Sequence, residues 1–156
     1  MNDGTLRDHL AELLKGEGAH HNLGTALSQY PSSIAGSTVP GVTHTPWRLL
    51  EHMRIAQWDI LEFSRNPDYV SPSFPDGYWP ETDAPPDESA WGRSVESFLA
   101  DLEAMQSLVM NPATDLLAPI PWGDGQTVLR EALVLADHNS YHLGQLILIG
   151  KGLGAL

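Results

Sequence analysis

Apolar residues recur with the spacing of an α-helix in four segments of this 156-residue chain, and no segment alternates with the two-residue period of a strand for long enough to predict one. The four predicted helices cover residues 5–15, 47–64, 90–110 and 127–150. A shorter helix is predicted over residues 23–30, with Asn22 as its N-cap and Pro31 beyond its end. The clearest start is Thr45 followed by Pro46, an N-cap and a first-turn proline. The chain is therefore expected to be all-α.

The longest connection between these helices spans residues 65–89 and holds six prolines and four aromatic residues. Loops of this length are usually either functional or disordered, and the aromatic residues favour an ordered loop packed on the helices. An extended chain of this length can run along a whole helix, so its two flanking helices can lie parallel. The sequence predicts one domain over residues 1–156, a four-helix bundle with a long crossover between its second and third main helices.

Charge and cysteine content narrow the class of partner. Eight basic and twenty acidic side chains give a formal net charge of −12, which disfavours nucleic acid and anionic membranes as partners. The lack of cysteine excludes disulfides, thiolate catalysis and iron–sulfur ligation, so any thiol must come from another molecule. The chain starts without the pattern of a secretory signal, and its apolar runs are far shorter than the ~20 residues of a membrane span. We expect a cytoplasmic protein that acts on a small-molecule substrate.

Histidines at helical spacing are the main chemical signal. His138 and His142 lie four residues apart in the last predicted helix, so both rings project from one face and can share a cation. His52 lies on the inward face of the helix that follows Thr45. Three neutral imidazoles without a fourth protein ligand match a metal site that keeps a position open for water or substrate. The alternative is a set of buried histidines hydrogen-bonded to Gln145, to acidic side chains or to the backbone, with no metal.

Two acidic residues share the helix faces that carry the histidines. Asp59 lies on the face of His52, and Glu131 lies with Val134 on the face of His138. Both faces are expected to point into the interior. Each carboxylate is about two turns from a histidine, so each is a candidate catalytic residue that orients a ligand imidazole or accepts a proton. The alternative for both is a plain salt bridge or a solvated side chain.

Several other sites and enzyme classes are disfavoured by the sequence. The remaining histidines are expected to be surface or capping residues: His9, His20, His21 and His44. No predicted helix holds the Glu-x-x-His motif of di-iron bundles, and the His-Glu-x-x-His motif of metalloproteases is absent. Glycine-rich dinucleotide and phosphate loops are absent as well.

The segments that carry the three histidines resemble the DinB-like superfamily. They are TPWRLLEH at residues 45–52 and DHNSYHLGQ at residues 137–145. Two further segments resemble one bacterial branch of that superfamily, namely GYWP at residues 77–80 and PWGDGQT at residues 121–127. The resemblance covers most of the chain, and the two histidine segments are its most specific part.

The resemblance implies an up-down-down-up four-helix bundle and a divalent metal held by His52, His138 and His142. Zinc or nickel is the expected ion, with iron or manganese as alternatives. The resemblance also implies a homodimer, and relatives that transfer low-molecular-weight thiols such as bacillithiol, mycothiol or glutathione, or that isomerise substrates with the help of such thiols.

Two classes of function remain open at this point. In the first, the protein is a metal-dependent enzyme that activates an exogenous thiol or water, and a metal-assisted hydrolase would use the same ligands. In the second, the protein is a non-catalytic, stress-linked protein that binds a metal or ligand, and a scaffold that has lost its metal is a third alternative. Trp79 and Trp122 could wall the pocket of an enzyme or could cap the core.

Overall fold

The computed structural model describes residues 3–156, so the first two residues of the expected domain lie outside it. Its five α-helices are α1 (Gly4–Lys15), α2 (Leu23–Gln29), α3 (Pro46–Arg65), α4 (Ala90–Met110) and α5 (Val128–Gly152). Within residues 3–156 there is no strand, only an isolated bridge between Pro119 and Thr127. The all-α prediction is confirmed. None of these helices is both long and apolar enough to cross a membrane.

The helices begin where the sequence places a side chain that can cap them. The side chains of Asn22, Thr45 and Thr127 each accept a hydrogen bond from a backbone N–H in the first turn of α2, α3 and α5. This bond satisfies one of the N–H groups that a helix start leaves without a partner. At the other end of α1, Gly16 adopts the left-handed conformation with φ of 65°, which favours glycine.

Helices α4 and α5 form the centre of the packing. Both α1 and α3 pack against α4 and α5, and the short α2 also lies on α4 and α5. The buried apolar residues form one cluster, and its largest fully buried side chains include Phe98, Leu50, Met53, Met105 and Leu135. These residues come from α3, α4 and α5, so the apolar faces of these three helices share one core.

The connection over residues 66–89 lies against α3 as an ordered segment. The Thr45 hydroxyl donates a hydrogen bond to the backbone oxygen of Asp83 at 2.7 Å, and the Trp47 indole donates one to the Thr82 hydroxyl at 3.2 Å. Its aromatic residues do not all contribute. Phe74 is 87% exposed, whereas the other three are half-buried. The loop is therefore packed on α3, as its aromatic content predicts, although Phe74 takes no part in the packing.

Candidate metal centre

His52 on α3 and His138 and His142 on α5 meet at one point. Each offers one ring nitrogen, and these nitrogens lie within 4.8 Å of one another. The Nε2 atoms of His52 and His138 are 3.0 Å apart. The four-residue spacing on α5 brings two of the rings together, and the packing of α3 against α5 adds the third. These three residues could hold a metal ion.

The centre lies at the rim of the buried core. His142 is buried, whereas His52 and His138 are half-buried. Val134, expected on the same interior face of α5, is 39% exposed. Helical spacing fixes which residues share a face, but the neighbouring elements decide how much of that face is covered. The expectation that this whole face points into the interior is therefore wrong at Val134.

Hydrogen bonds fix the orientation of two of the rings. Nδ1 of His52 lies 2.8 Å from the backbone oxygen of Tyr78, and Nδ1 of His142 lies 2.7 Å from Oε1 of Gln145. An oxygen of this kind only accepts, so Nδ1 carries the proton and donates it in both rings. In a neutral ring, Nε2 then keeps a free lone pair. The hydrogen bonds expected for a metal-free alternative are thus present, and they leave Nε2 available in the way that metal ligands require.

The three rings are neutral near pH 7. Burial lowers the pKa of His52 and His142 below its ordinary value, although their hydrogen bonds oppose the shift. For His138, burial and the neighbouring His142 and His52 lower the pKa to about 4. A metal binds the neutral form of imidazole, so the same burial that disfavours protonation keeps the ligands ready for an ion.

The two tryptophans of the long connections have different roles. The Trp79 indole stacks on the His52 ring with a centroid distance of 3.9 Å and an angle of 3° between the planes. Trp79 therefore covers one side of the centre. Trp122 instead donates a hydrogen bond from its indole to the backbone oxygen of Phe63 at 2.7 Å. Phe63 is eleven residues beyond His52, about 16 Å along α3, so Trp122 covers a different part of the protein.

A fourth histidine lies beside the centre. His44 was expected to be a surface or capping residue, but it is half-buried and its ring stacks on Trp79 with a centroid distance of 4.2 Å. Its Nδ1 atom is buried without a hydrogen-bond partner, and burial lowers its pKa. The signal in the sequence is its position just before the N-cap Thr45. A residue there often packs over the first turn of the helix, and here His44 lines a groove together with Leu49 of that turn.

The two candidate catalytic carboxylates contact other residues. Oδ2 of Asp59 accepts a hydrogen bond from the Tyr78 hydroxyl at 2.7 Å, so Asp59 reaches His52 through Tyr78 and its backbone oxygen. Glu131 is buried and pairs with the guanidinium of Arg130 at 2.5 Å. Both residues lie on the expected elements without joining the histidine cluster. Their catalytic roles stay predictions.

A groove of about 370 Å³ adjoins the centre. Gln145, which holds His142, lines it, and so does His44. The remaining lining is largely apolar and comes from the segment before α3, from α3 itself and from the end of α5: Gly41, Val42, Thr43, Leu49, Leu148 and Ile149. The groove offers an apolar surface beside a candidate metal site, which is a common setting for a small-molecule site.

Comparison of the chain with protein-family models, with curated proteins and with solved structures gives no match. The functional interpretation is therefore carried by the geometry of the histidine centre and by the resemblance of the segments at residues 45–52 and 137–145.

Proposed function

We propose that this protein is a divalent-metal-dependent enzyme of the DinB-like superfamily, in which His52, His138 and His142 hold the ion. The observation that carries the proposal is the convergence of three ring nitrogens within 4.8 Å of one another. The Nδ1 hydrogen bonds of His52 and His142 support it, because they leave Nε2 of both rings free. A three-histidine ligand set suits zinc or nickel, with iron or manganese as alternatives.

We further propose that the helices form the up-down-down-up four-helix bundle of that superfamily. Two contacts support a parallel arrangement of α3 and α4. Glu51 is hydrogen-bonded to Ser94 near the start of both helices. Further along both helices, the Gln57 side chain donates a hydrogen bond to the backbone oxygen of Phe98. Arg7, in the first turn of α1, bonds backbone oxygens at the end of α4, which supports opposite directions for these two helices. If α3 and α4 are parallel, the connection between them must run back along the bundle, and residues 66–89 provide this long crossover.

The chain's own residues prepare the site for chemistry. Trp79 covers His52 and keeps water from that side, while Gln145 and the Tyr78 backbone oxygen hold two rings in the ligand tautomer. When bound, a divalent ion supplies Lewis acidity, which lowers the pKa of a water or thiol bound to it toward 7. The chain has no cysteine, so the thiol of the proposed transfer reaction is a separate small molecule, and the groove beside His44 is where we place the apolar part of a substrate.

We propose that the expected homodimer forms through an exposed apolar stripe on α5 that borders the groove. Three apolar side chains on this stripe are exposed at seven-residue intervals, and the last of them also lines the groove: Val134 at 39%, Tyr141 at 64% and Leu148 at 66%. A seven-residue repeat is the spacing at which one helix packs along another, so the face suits a second copy of α5.

The proposal is tested by the metal content of protein purified without a nickel column or a chelator. We expect about one divalent ion per chain in the native protein and its loss in His142→Ala, because a tetrahedral site that keeps an open position has only three protein ligands. His9→Ala is the matched control, since His9 is an exposed histidine on α1. Metal-free native protein, or equal metal in His142→Ala and the control, would overturn the proposal. Loaded protein is then assayed for consumption of an electrophile with each thiol class.

A further inference from the structure

The buried side-chain amides of Gln57 and Asn139 are linked by hydrogen bonds, and we call them the amide chain. Asn139 directly follows His138, and the function proposed above does not use either amide. The side-chain nitrogen of Gln57 donates a hydrogen bond to the backbone oxygen of Phe98 at 2.5 Å. The side-chain nitrogen of Asn139 donates to Oε1 of Gln57 at 3.0 Å. Gln57 is fully buried and Asn139 is 2% exposed. The chain thus links α4, α3 and α5 through the core.

The Phe98 backbone oxygen fixes the orientation of both amides in the amide chain. A backbone oxygen only accepts, so Gln57 must turn its nitrogen toward Phe98 and its oxygen toward Asn139. Asn139 must then turn its nitrogen toward Gln57, which leaves Oδ1 as the free acceptor. This Oδ1 atom is buried and has no hydrogen-bond partner. A buried acceptor without a partner is costly and needs an explanation.

The neighbouring ring offers the matching atom. Nδ1 of His138 is also buried without a partner, and the Asn139 side chain raises the pKa of His138 as a hydrogen-bonding group would. Nε2 of His138 lies 3.0 Å from Nε2 of His52. The His52 Nε2 atom carries a lone pair, because the proton of that ring is on Nδ1 and is donated to the backbone oxygen of Tyr78. Without an ion, the proton of His138 therefore sits on Nε2 and is donated to His52. Nδ1 of His138 and Oδ1 of Asn139 are then two buried acceptors, and neither has a donor.

We propose that Asn139 and Gln57 are positioning residues that select the tautomer of His138 in the metal-loaded protein. This inference rests on the proposed metal site. A ligand nitrogen must be free of its proton, so in the loaded protein the His138 proton moves to Nδ1 and is donated to Oδ1 of Asn139. One bond then satisfies both buried atoms. Gln57 keeps Asn139 from rotating its nitrogen toward the ring.

The native chain tests the tautomer directly. We would record ring ¹⁵N chemical shifts of His138 in zinc-free and zinc-loaded protein, because these shifts distinguish a proton on Nδ1 from a proton on Nε2. The expected result is Nε2–H without zinc and Nδ1–H with zinc, and slower solvent exchange of the Nδ1 proton in native protein than in Asn139→Leu. If zinc binds but the proton of His138 is not on Nδ1, this inference alone is overturned. Failure to bind zinc or any of the alternative ions, nickel, iron and manganese, would overturn the proposed function as well.

Zinc affinity of variants gives a second, independent readout. Asn139→Leu removes the acceptor and is expected to weaken zinc binding by about 10- to 100-fold, the usual effect of losing a partner of a ligand histidine. Asn139→Asp keeps an acceptor oxygen and is expected to retain affinity near the native value, although it breaks the amide chain. If Asn139→Asp lowers zinc affinity as much as Asn139→Leu does, the role of Asn139 is only structural and the proposal is wrong.

A matched control separates affinity from stability. Tyr30→Phe removes a buried hydrogen bond from the Tyr30 hydroxyl to the backbone oxygen of Leu146 on α5, at 3.1 Å, away from the amide chain. We expect it to destabilise the fold while leaving zinc affinity within about twofold of the native value. An equal loss of zinc affinity in Tyr30→Phe and Asn139→Leu would show a general effect of instability and would overturn the inference.

Discussion

The two sides of the histidine centre are held by different kinds of structure. His52 is held by the connection over residues 66–89, through the backbone oxygen of Tyr78 and the indole of Trp79, and these residues are half-buried. On the other side, His138 is followed by Asn139, which bonds Gln57, and both amide side chains are buried in the core. A loop with few buried contacts can open locally, whereas buried amides are released only when helices separate. The comparison indicates a rigid core side and an adjustable loop side of one site.

The largest expected effect is on the core side. Gln57→Ala removes both bonds of the central amide and leaves the Asn139 nitrogen buried without a partner, whereas the Phe98 backbone oxygen keeps its bond within α4. We expect the free energy of unfolding to fall by about 3 kcal/mol, the combined cost of one unsatisfied buried group and of the cavity that the truncated side chain leaves. Urea unfolding measures it.

The control for this variant is Gln29→Ala, on the exposed face of α2, which is expected to change stability by less than about 0.5 kcal/mol. If Gln57→Ala and Gln29→Ala have the same free energy of unfolding, the core side is not rigid in the sense proposed, and the contrast between the two sides disappears.

The pH dependence of metal-free protein compares the two sides in a second way. The folded-state pKa of His138 is about 4, below its ordinary value of 6.5, so the unfolded chain binds more protons than the folded chain between these values. The free energy of unfolding should therefore fall as pH drops from 6.5 to 4, by up to about 1 kcal/mol per pH unit after allowance for partial exposure.

Variants assign this dependence to one side. His138→Gln should flatten the pH profile more than His52→Gln does, because two neighbouring histidines add to the effect of burial at His138, whereas the Tyr78 hydrogen bond opposes it at His52. Urea unfolding at several pH values provides the measurement. A larger flattening in His52→Gln would reverse the proposed contrast between the core side and the loop side.

The sequence predicts much of the fold because helix formation depends on local signals. Each helix is present with its ends within two residues of the prediction, since caps such as Thr45 and stops such as Gly16 act over a single turn. The His138 and His142 pair is likewise a property of one helix. The exposure of Val134 could not be predicted, because it depends on which elements cover α5.

The partners of the histidines are harder to predict than the histidines themselves. Gln57 and Asn139 are 82 residues apart and meet only when α3 packs on α5. No sequence motif predicts that the backbone oxygen of Tyr78 accepts from His52, since every residue has a backbone oxygen. His44 gave a local signal before its N-cap, but its contact with Trp79 depends on how the long connection folds back. Long-range packing, and not local spacing, decides these contacts.

The smallest expected effect is on the loop side, and it bears on the role of Asp59. Tyr78→Phe removes the hydroxyl that donates to Asp59 but keeps the backbone oxygen that accepts from His52. We expect the free energy of unfolding to fall by about 1 kcal/mol, the loss of one half-exposed hydrogen bond, and zinc affinity to change by less than about threefold. Asp59→Asn is the paired variant, since it keeps the shape of the side chain and removes its charge. If either variant weakens zinc binding more than tenfold, Asp59 acts on His52 through Tyr78, the loop side is as rigid as the core side, and the predicted orienting role of Asp59 gains its first support.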